Sequence, residues 1–180
     1  MRRLMLLRHA KTESDAPTGR DQDRRLDERG HQDAVMIGEF IASHPPAPEL
    51  VLVSTAVRTR QTWELAWEAM KGRVSAPEVE FAPELYGAEP MQLLHHIRVA
   101  AASDPKQLML IGHNPGVHEL ALALTGTGDR AAREELARNL PTSGLIILDF
   151  DTDDWTDVSF TRGRLLVFVT PKLLKHGSVD

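Results

Sequence analysis

The chain has 180 residues, 42 % apolar and 26 % charged, which suits one domain with a continuous core and lies far from a disordered or fibrous composition. With 21 Lys and Arg against 26 Asp and Glu, the formal net charge of -5 gives no general bias toward nucleic acid or anionic lipid, so neither is expected as a partner and any basic patch must be local. The lack of cysteine excludes disulfides, thiolate metal sites and cysteine nucleophiles together.

The start, Met1-Arg2-Arg3-Leu4-Met5-Leu6-Leu7, is a basic head with an apolar run that Arg8 ends too early for the roughly 7 to 15 apolar residues of a secretory core or the ~20 of a membrane span. Neither occurs later, so no membrane association is expected and a cytoplasmic location is favoured. Residues 4–7 read as a buried strand. Residues 28–42 set Ala34, Val35, Ile37 and Ile41 at helical spacing, and Ser43-His44-Pro45-Pro46 ends that helix because proline pushes its predecessor out of the helical region. Residues 50–53 form the next strand. Ser54-Thr55 is placed to cap the following helix, Val57–Met70, whose Trp63, Ala66, Trp67 and Met70 again recur at helical spacing.

Residues 108–111 make a third buried run, and residues 112–116 a turn into a helix over 117–124. Strands at 145–148 and 165–169 flank an acidic stretch, 149–157, which reads as a solvated hairpin loop. Residues 172–180 read as a frayed, flexible tail. No repeat or linker interrupts the chain, so a single domain over 1–180 is expected. Strands alternating with helices indicate an α/β fold, a three-layer α/β/α sandwich around a mostly parallel central sheet, with the C-terminal strand or hairpin antiparallel at an edge.

Three strands end in residues of one chemical kind: Leu7-Arg8-His9-Ala10-Lys11-Thr12, then Ser54-Thr55-Ala56-Val57-Arg58, and Gly112-His113-Asn114-Pro115-Gly116. Open α/β sheets bind ligands beyond the carboxyl ends of their strands. Arginine presents a planar fork of donors that matches phosphate oxygens and stays charged, so Arg8 and Arg58 define a site for a tetrahedral dianion. His9 is the candidate nucleophile toward phosphorus, and His113 suits the stabilisation of charge on the equatorial oxygens. Lys11 and Thr12 lie close enough to His9 to reach a phosphate, with plain surface exposure as the alternative.

These residues resemble the histidine phosphatase superfamily, whose fold is phosphoglycerate mutase-like, and within it the phosphohistidine phosphatase SixA branch. The resemblance rests on residues 6–11, on Asp23-Arg24-Arg25-Leu26 with Glu28-Arg29-Gly30, and on Ser54-x-x-x-Arg58-x-x-Gln61-Thr62. It continues through Pro83-Glu84-Leu85-Tyr86, residues 112–116 and Pro141-Thr142-x-Gly144, so it runs in order over nearly the whole chain. It implies His9 as nucleophile, Arg8 and Arg58 as phosphate clamps and His113 as the second histidine. Where the acid phosphatase and phytase branch carries an Asp after that histidine, this chain has Asn114, a candidate substrate contact. The mutase and small-phosphatase branch takes a Glu from the segment that holds Glu84, which either protonates an alcohol leaving group or merely rims the pocket.

A histidine after a strand, arginines on a helix and a Gly-rich turn each have ordinary structural explanations taken singly; their ordered combination is what points to catalysis. His95 and His96 are adjacent and share no helix face, and His113 with His118 lacks the i, i+4 spacing of a helical metal pair, so no metal and no cofactor are expected. Trp63 and Trp67 fit core packing. The resemblance implies a metal-independent phosphatase working by a ping-pong path through phospho-His9, with phosphohistidine in a partner protein as the leading substrate. A small phosphorylated metabolite is the alternative, which Glu84 and the basic cluster over 20–25 would serve. A phosphate-binding interaction module without turnover is the third reading. Mutase chemistry is not expected, because no long insertion shields an intermediate from water. A monomer or weak dimer is expected.

Overall fold

The computed structural model describes residues 1–177. Its strands are β1 (Arg2–Arg8), β2 (Leu50–Ser54), β3 (Glu78–Ala82), β4 (Gln107–Gly112), β5 (Thr125–Gly128), β6 (Leu145–Phe150) and β7 (Gly163–Val169), forming one sheet in the order β3-β2-β4-β1-β6-β7-β5. The helices are α1 (Glu28–Ser43), α2 (Val57–Met70), α3 (Pro90–Ala100), α4 (Gly116–Leu124), α5 (Arg130–Arg138) and α6 (Pro171–Lys175). Every adjacent strand pair is parallel except β1–β6 and β6–β7, so β6 alone runs against the rest.

The central strands are apolar on both faces because both faces are covered, the usual condition of parallel sheets. Alternate side chains part accordingly. Leu4, Leu6, Leu108 and Leu110 pack with Leu93, Ile97, Leu120 and Leu136 from α3, α4 and α5. Met5, Leu7, Met109 and Ile111 pack with Ile37, Ile41, Trp63 and Met70 from α1 and α2. Each such fully buried aliphatic side chain contributes ~1.5–3 kcal/mol relative to exposure. The two helices of the second layer approach closely at Gly38, where an added Cβ would lie 2.3 Å from the Ala66 carbonyl oxygen.

Several local expectations need correction. The antiparallel strand is β6, inside the sheet beside β1, rather than at an edge; the edges are β3 and β5, both short and poor in buried apolar residues, which hid them from a reading based on apolar runs. The acidic stretch after β6 is not a plain solvated loop. It folds a single 3-10 turn, Trp155–Asp157, that buries Trp155 and donates its indole N–H to the Pro105 carbonyl at 2.6 Å. The stretch read as a tail from Lys172 begins instead with α6, capped by the Thr170 side chain, and Lys175 Nζ lies 3.0 Å from the buried Asp33 of α1. Residues 178–180 of that expected tail lie outside the described residues.

Candidate active site

The carboxyl ends of β2, β4 and β1 lie side by side, and α2 and α4 start directly after the first two of these, which turns their positive N-terminal ends toward the same edge. Because β6 runs the other way, the turn that precedes it arrives at this edge too. Backbone bonds then fix the segment that holds His9 from several sides. His9 N–H donates to the Gly112 carbonyl at 3.1 Å, Arg8 N–H to Gly144 at 3.1 Å, and Ser143 N–H is shared between the Arg8 and His9 carbonyls. Ala10 N–H donates to Thr62 Oγ1 of α2 at 2.9 Å. Gly30 completes the packing, since a Cβ there would stand 2.0 Å from the Lys11 carbonyl oxygen.

The two arginines are held in one manner. Arg8 Nη1 donates to the Leu140 carbonyl at 3.0 Å, and Arg58 Nη1 donates to the Asp21 carbonyl at 2.8 Å. In both, Nε is buried and has no protein partner among the described residues. Each guanidinium is thus pinned at one end while its Nε, the atom through which Arg3 grips the Asp149 carboxylate together with Nη2, is left unpaired among the described residues. The cations are close enough that, after burial, Arg58 is what lowers the pKa of Arg8.

The two imidazoles stand 5.4 Å apart between centroids, and both are buried, with His9 6 % and His113 9 % exposed. His9 Nδ1 lies 2.8 Å from the Ala10 carbonyl, an acceptor only, so Nδ1 carries the proton and Nε2 keeps its lone pair. Burial, helped by the Arg58 and Arg8 cations, pushes the His9 pKa down from 6.5 to about 4, which leaves the ring neutral at pH 7. His113 is lowered to about 3, by burial first and then by Arg58. Its Nε2 sits 2.7 Å from Ser54 Oγ, while its buried Nδ1 has no protein partner among the described residues.

The fold therefore brings Arg8, His9, Arg58 and His113 together, as their strand-end positions predicted. The remaining candidates are placed less centrally. Asn114 Nδ2 donates to the Leu140 carbonyl at 2.9 Å, the oxygen that also accepts from Arg8. Thr12 Oγ1 accepts from Arg24 Nη1 at 2.9 Å, and the half-buried Lys11 has no side-chain partner among the described residues. Glu84 lies in a single 3-10 turn, Pro83–Leu85, exposed and without a hydrogen-bond or ion-pair partner among the described residues. Ser54 and Thr55 do not cap α2. Ala56 occupies that position, Thr59 Oγ1 donates to the Ser54 and Ala56 carbonyls, and the Ser54 hydroxyl faces His113 instead.

Two site residues escaped the sequence reading. Asp21 reaches Arg58 from the loop that follows His9, with Oδ2 2.9 Å from Nη2, and Tyr86 donates its hydroxyl to the same oxygen at 2.5 Å. The Tyr86 ring also stands edge-on to His113 and near the Arg58 guanidinium. Tyr86 was legible only as part of the Pro83-Glu84-Leu85-Tyr86 string, and among the acidic residues 21 and 23 nothing in the spacing marked the first as the one turned inward. Beside His113 a cleft of about 460 Å³ opens between the 87–90 segment and the start of α4. Among the described residues no group of three or more His, Asp or Glu is arranged to hold a metal ion, and no helix is long and apolar enough to cross a membrane.

Residues 4–86 match the model of the histidine phosphatase superfamily (branch 1). Uncharacterized protein ML1117 of Mycobacterium leprae is 32 % identical over 172 residues, covering 92 % of this chain and the whole of that relative. A solved structure from Agrobacterium tumefaciens, assigned as the phosphohistidine phosphatase SixA, is 35 % identical with a TM-score of 0.77, covering 94 % of this chain and 98 % of the other. One from Nakamurella multipartitia with the same assignment is 27 % identical with a TM-score of 0.80, covering 94 % and 96 %. Sequence and three-dimensional likeness thus agree with the strand-end chemistry over nearly the full length, and the chain belongs to the histidine phosphatase superfamily, branch 1, with a SixA-like, phosphoglycerate mutase-like fold.

Proposed function

We propose that the protein is a metal-independent phosphatase that transfers a phosphoryl group to His9 Nε2 and then to water, acting on phosphohistidine in a partner protein. The observation that carries the reading is that three buried nitrogens of the residues gathered with His9, namely Arg8 Nε, Arg58 Nε and His113 Nδ1, have no protein partner among the described residues. Buried polar groups ordinarily have partners, so three unmatched nitrogens in the cluster that holds His9 support an anion-binding role for it. If the Ser54 hydroxyl donates to His113 Nε2, the proton resides on Nδ1, where it serves the anion.

In the first step His9 Nε2 forms a bond to phosphorus as the bond to the leaving group breaks, with Arg8, Arg58 and His113 holding the equatorial oxygens. In the second, water attacks phosphorus, the bond to His9 breaks, and inorganic phosphate leaves. Asn114 acts through the Leu140 carbonyl, and Lys11 and Thr12, two and three residues past His9, are further candidates for contact with the substrate. An alkoxide needs a general acid to depart, whereas a protonated imidazole, with a free pKa of ~6.5, leaves without one. The exposure of Glu84 therefore favours phosphohistidine over an alkyl phosphate.

The test is a substrate panel that compares kcat/KM for a phosphohistidine peptide with values for sugar and nucleotide phosphates. A preference of at least tenfold for the peptide is expected. Equal or better turnover of a small phosphate ester makes the protein a metabolite phosphomonoesterase, and binding of phosphate without turnover of any substrate makes it a phosphate-binding module.

A further inference from the structure

Arg58 is 5 % exposed and anchored on the first turn of α2, yet the group that grips the far end of its guanidinium comes from an exposed loop. Asp21 opens a three-residue 3-10 turn, Asp21–Asp23, with no buried residue. Its backbone carbonyl accepts from Arg58 Nη1 at 2.8 Å and its Oδ2 from Nη2 at 2.9 Å, so the Nη1–Nη2 end is filled. The carboxylate is fully engaged: Oδ2 also accepts the Tyr86 hydroxyl at 2.5 Å, and Oδ1 accepts Arg24 Nε at 2.9 Å. Arg24 in turn donates through Nη1 to Thr12 Oγ1, three residues past the nucleophile.

A guanidinium has five N–H donors in a fixed plane, so filling the Nη1–Nη2 end leaves the edge of Nε with the second Nη2 hydrogen. Arg58 Nε is the buried donor without a partner. Asp21 therefore fixes the rotation of the plane and presents one defined edge, while its charge stays on the side away from that edge. Arg8 reaches the same state with a neutral acceptor, the Leu140 carbonyl.

We propose that Asp21, held by Tyr86 and Arg24, is a positioning residue that turns the Nε edge of Arg58 toward the phosphoryl group. The proposal rests on the reading of the pocket as a phosphoryl site. It separates two opposite roles for the same contact. A carboxylate on the edge meant for phosphate would compete with substrate, and its removal would tighten anion binding. A carboxylate on the opposite end supports the clamp, and its removal loosens anion binding.

A double-mutant cycle on the full chain decides, with inorganic phosphate and tungstate affinity measured by calorimetry and turnover of a chromogenic phosphate ester measured alongside. Asp21→Ala is expected to weaken oxyanion binding and lower kcat/KM about tenfold, the scale of a lost hydrogen bond to a charged group discounted for exposure. Asp21→Asn, which keeps an acceptor, recovers most of the loss, and Tyr86→Phe gives a smaller loss in the same direction. In an Arg58→Ala background, Asp21→Ala is expected to have no further effect on either quantity, a non-additivity that a merely structural loop contact would not produce.

Tighter oxyanion binding in Asp21→Ala overturns the brace in favour of competition. An unchanged penalty in the Arg58→Ala background overturns it in favour of a role independent of the clamp. If Arg58→Ala itself binds oxyanion as well as the wild type, the phosphoryl-site reading falls and the brace with it.

Discussion

His113 Nε2 lies 2.7 Å from Ser54 Oγ, and this contact between the ends of β4 and β2 determines which nitrogen of the ring faces the site. Ser54 is fully buried, so replacing it with alanine leaves a buried ring nitrogen without a partner and frees the tautomer. Ser54→Ala is expected to lose ~1–3 kcal/mol of stability and about tenfold in kcat/KM with a chromogenic ester, read by denaturant titration and initial rates. Wild-type turnover in that variant would remove His113 Nδ1–H from the mechanism.

The same burial has a cost in acid. His9 and His113 have folded pKa values of about 4 and about 3, below their ordinary 6.5, so the unfolded chain binds more protons throughout that interval. Stability should hold above about pH 6.5 and fall as the pH drops from there toward 3 to 4. Asp21, whose carboxyl is held below its ordinary 3.8 chiefly by the Tyr86 hydroxyl and by Arg58, adds to the loss only at the acid end. Denaturant titrations across this range should show a shallower decline in His113→Gln than in the wild type. An identical decline would mean that burial does not hold His113 neutral in the folded chain.

The contact of α1 with the segment after His9 sets a third expectation. A Cβ on Gly30 would collide with the Lys11 carbonyl, which lies on the strap that follows His9. Gly30→Ala should cost ~1–3 kcal/mol of stability and lower turnover further than unfolding accounts for, measured well below the thermal transition. Unchanged kinetics would show that the strap can move without consequence.

Glu84 offers the sharpest contrast between substrate classes. A working general acid contributes about 10²–10⁴ in rate, whereas an exposed rim residue contributes little. Glu84→Gln should keep kcat/KM for a phosphohistidine peptide within about twofold. A loss near a hundredfold would put Glu84 into the chemistry and favour an ester substrate.

How far the sequence foretold this arrangement follows from what each element depends on. The central strands were legible because burial on both faces makes them continuous apolar runs, and Arg8, His9, Arg58 and His113 followed from their places at or just beyond strand ends. Edge strands β3 and β5 were not, since Glu78-Val79-Glu80-Phe81 and Thr125-Gly126-Thr127-Gly128 bury little and are defined by their neighbours. The inward turn of Asp21 depends on Arg58, 37 residues away, and no local pattern announces it. The role of Ser54 was misread for a related reason: a serine after a strand fits a helix cap, and only the pairing of β2 with β4 brings His113 within its reach.

The central claim is that His9 Nε2 takes the phosphoryl group. Rapid acid-free quenching during turnover, followed by intact-mass and peptide mapping, measures it directly. The wild type should carry one phosphoryl group per chain on His9, labile to acid and stable to base, and His9→Ala should carry none and lose turnover while keeping its fold. Turnover near the wild-type rate in His9→Ala, or a phosphoryl group mapped to any other residue, would contradict it.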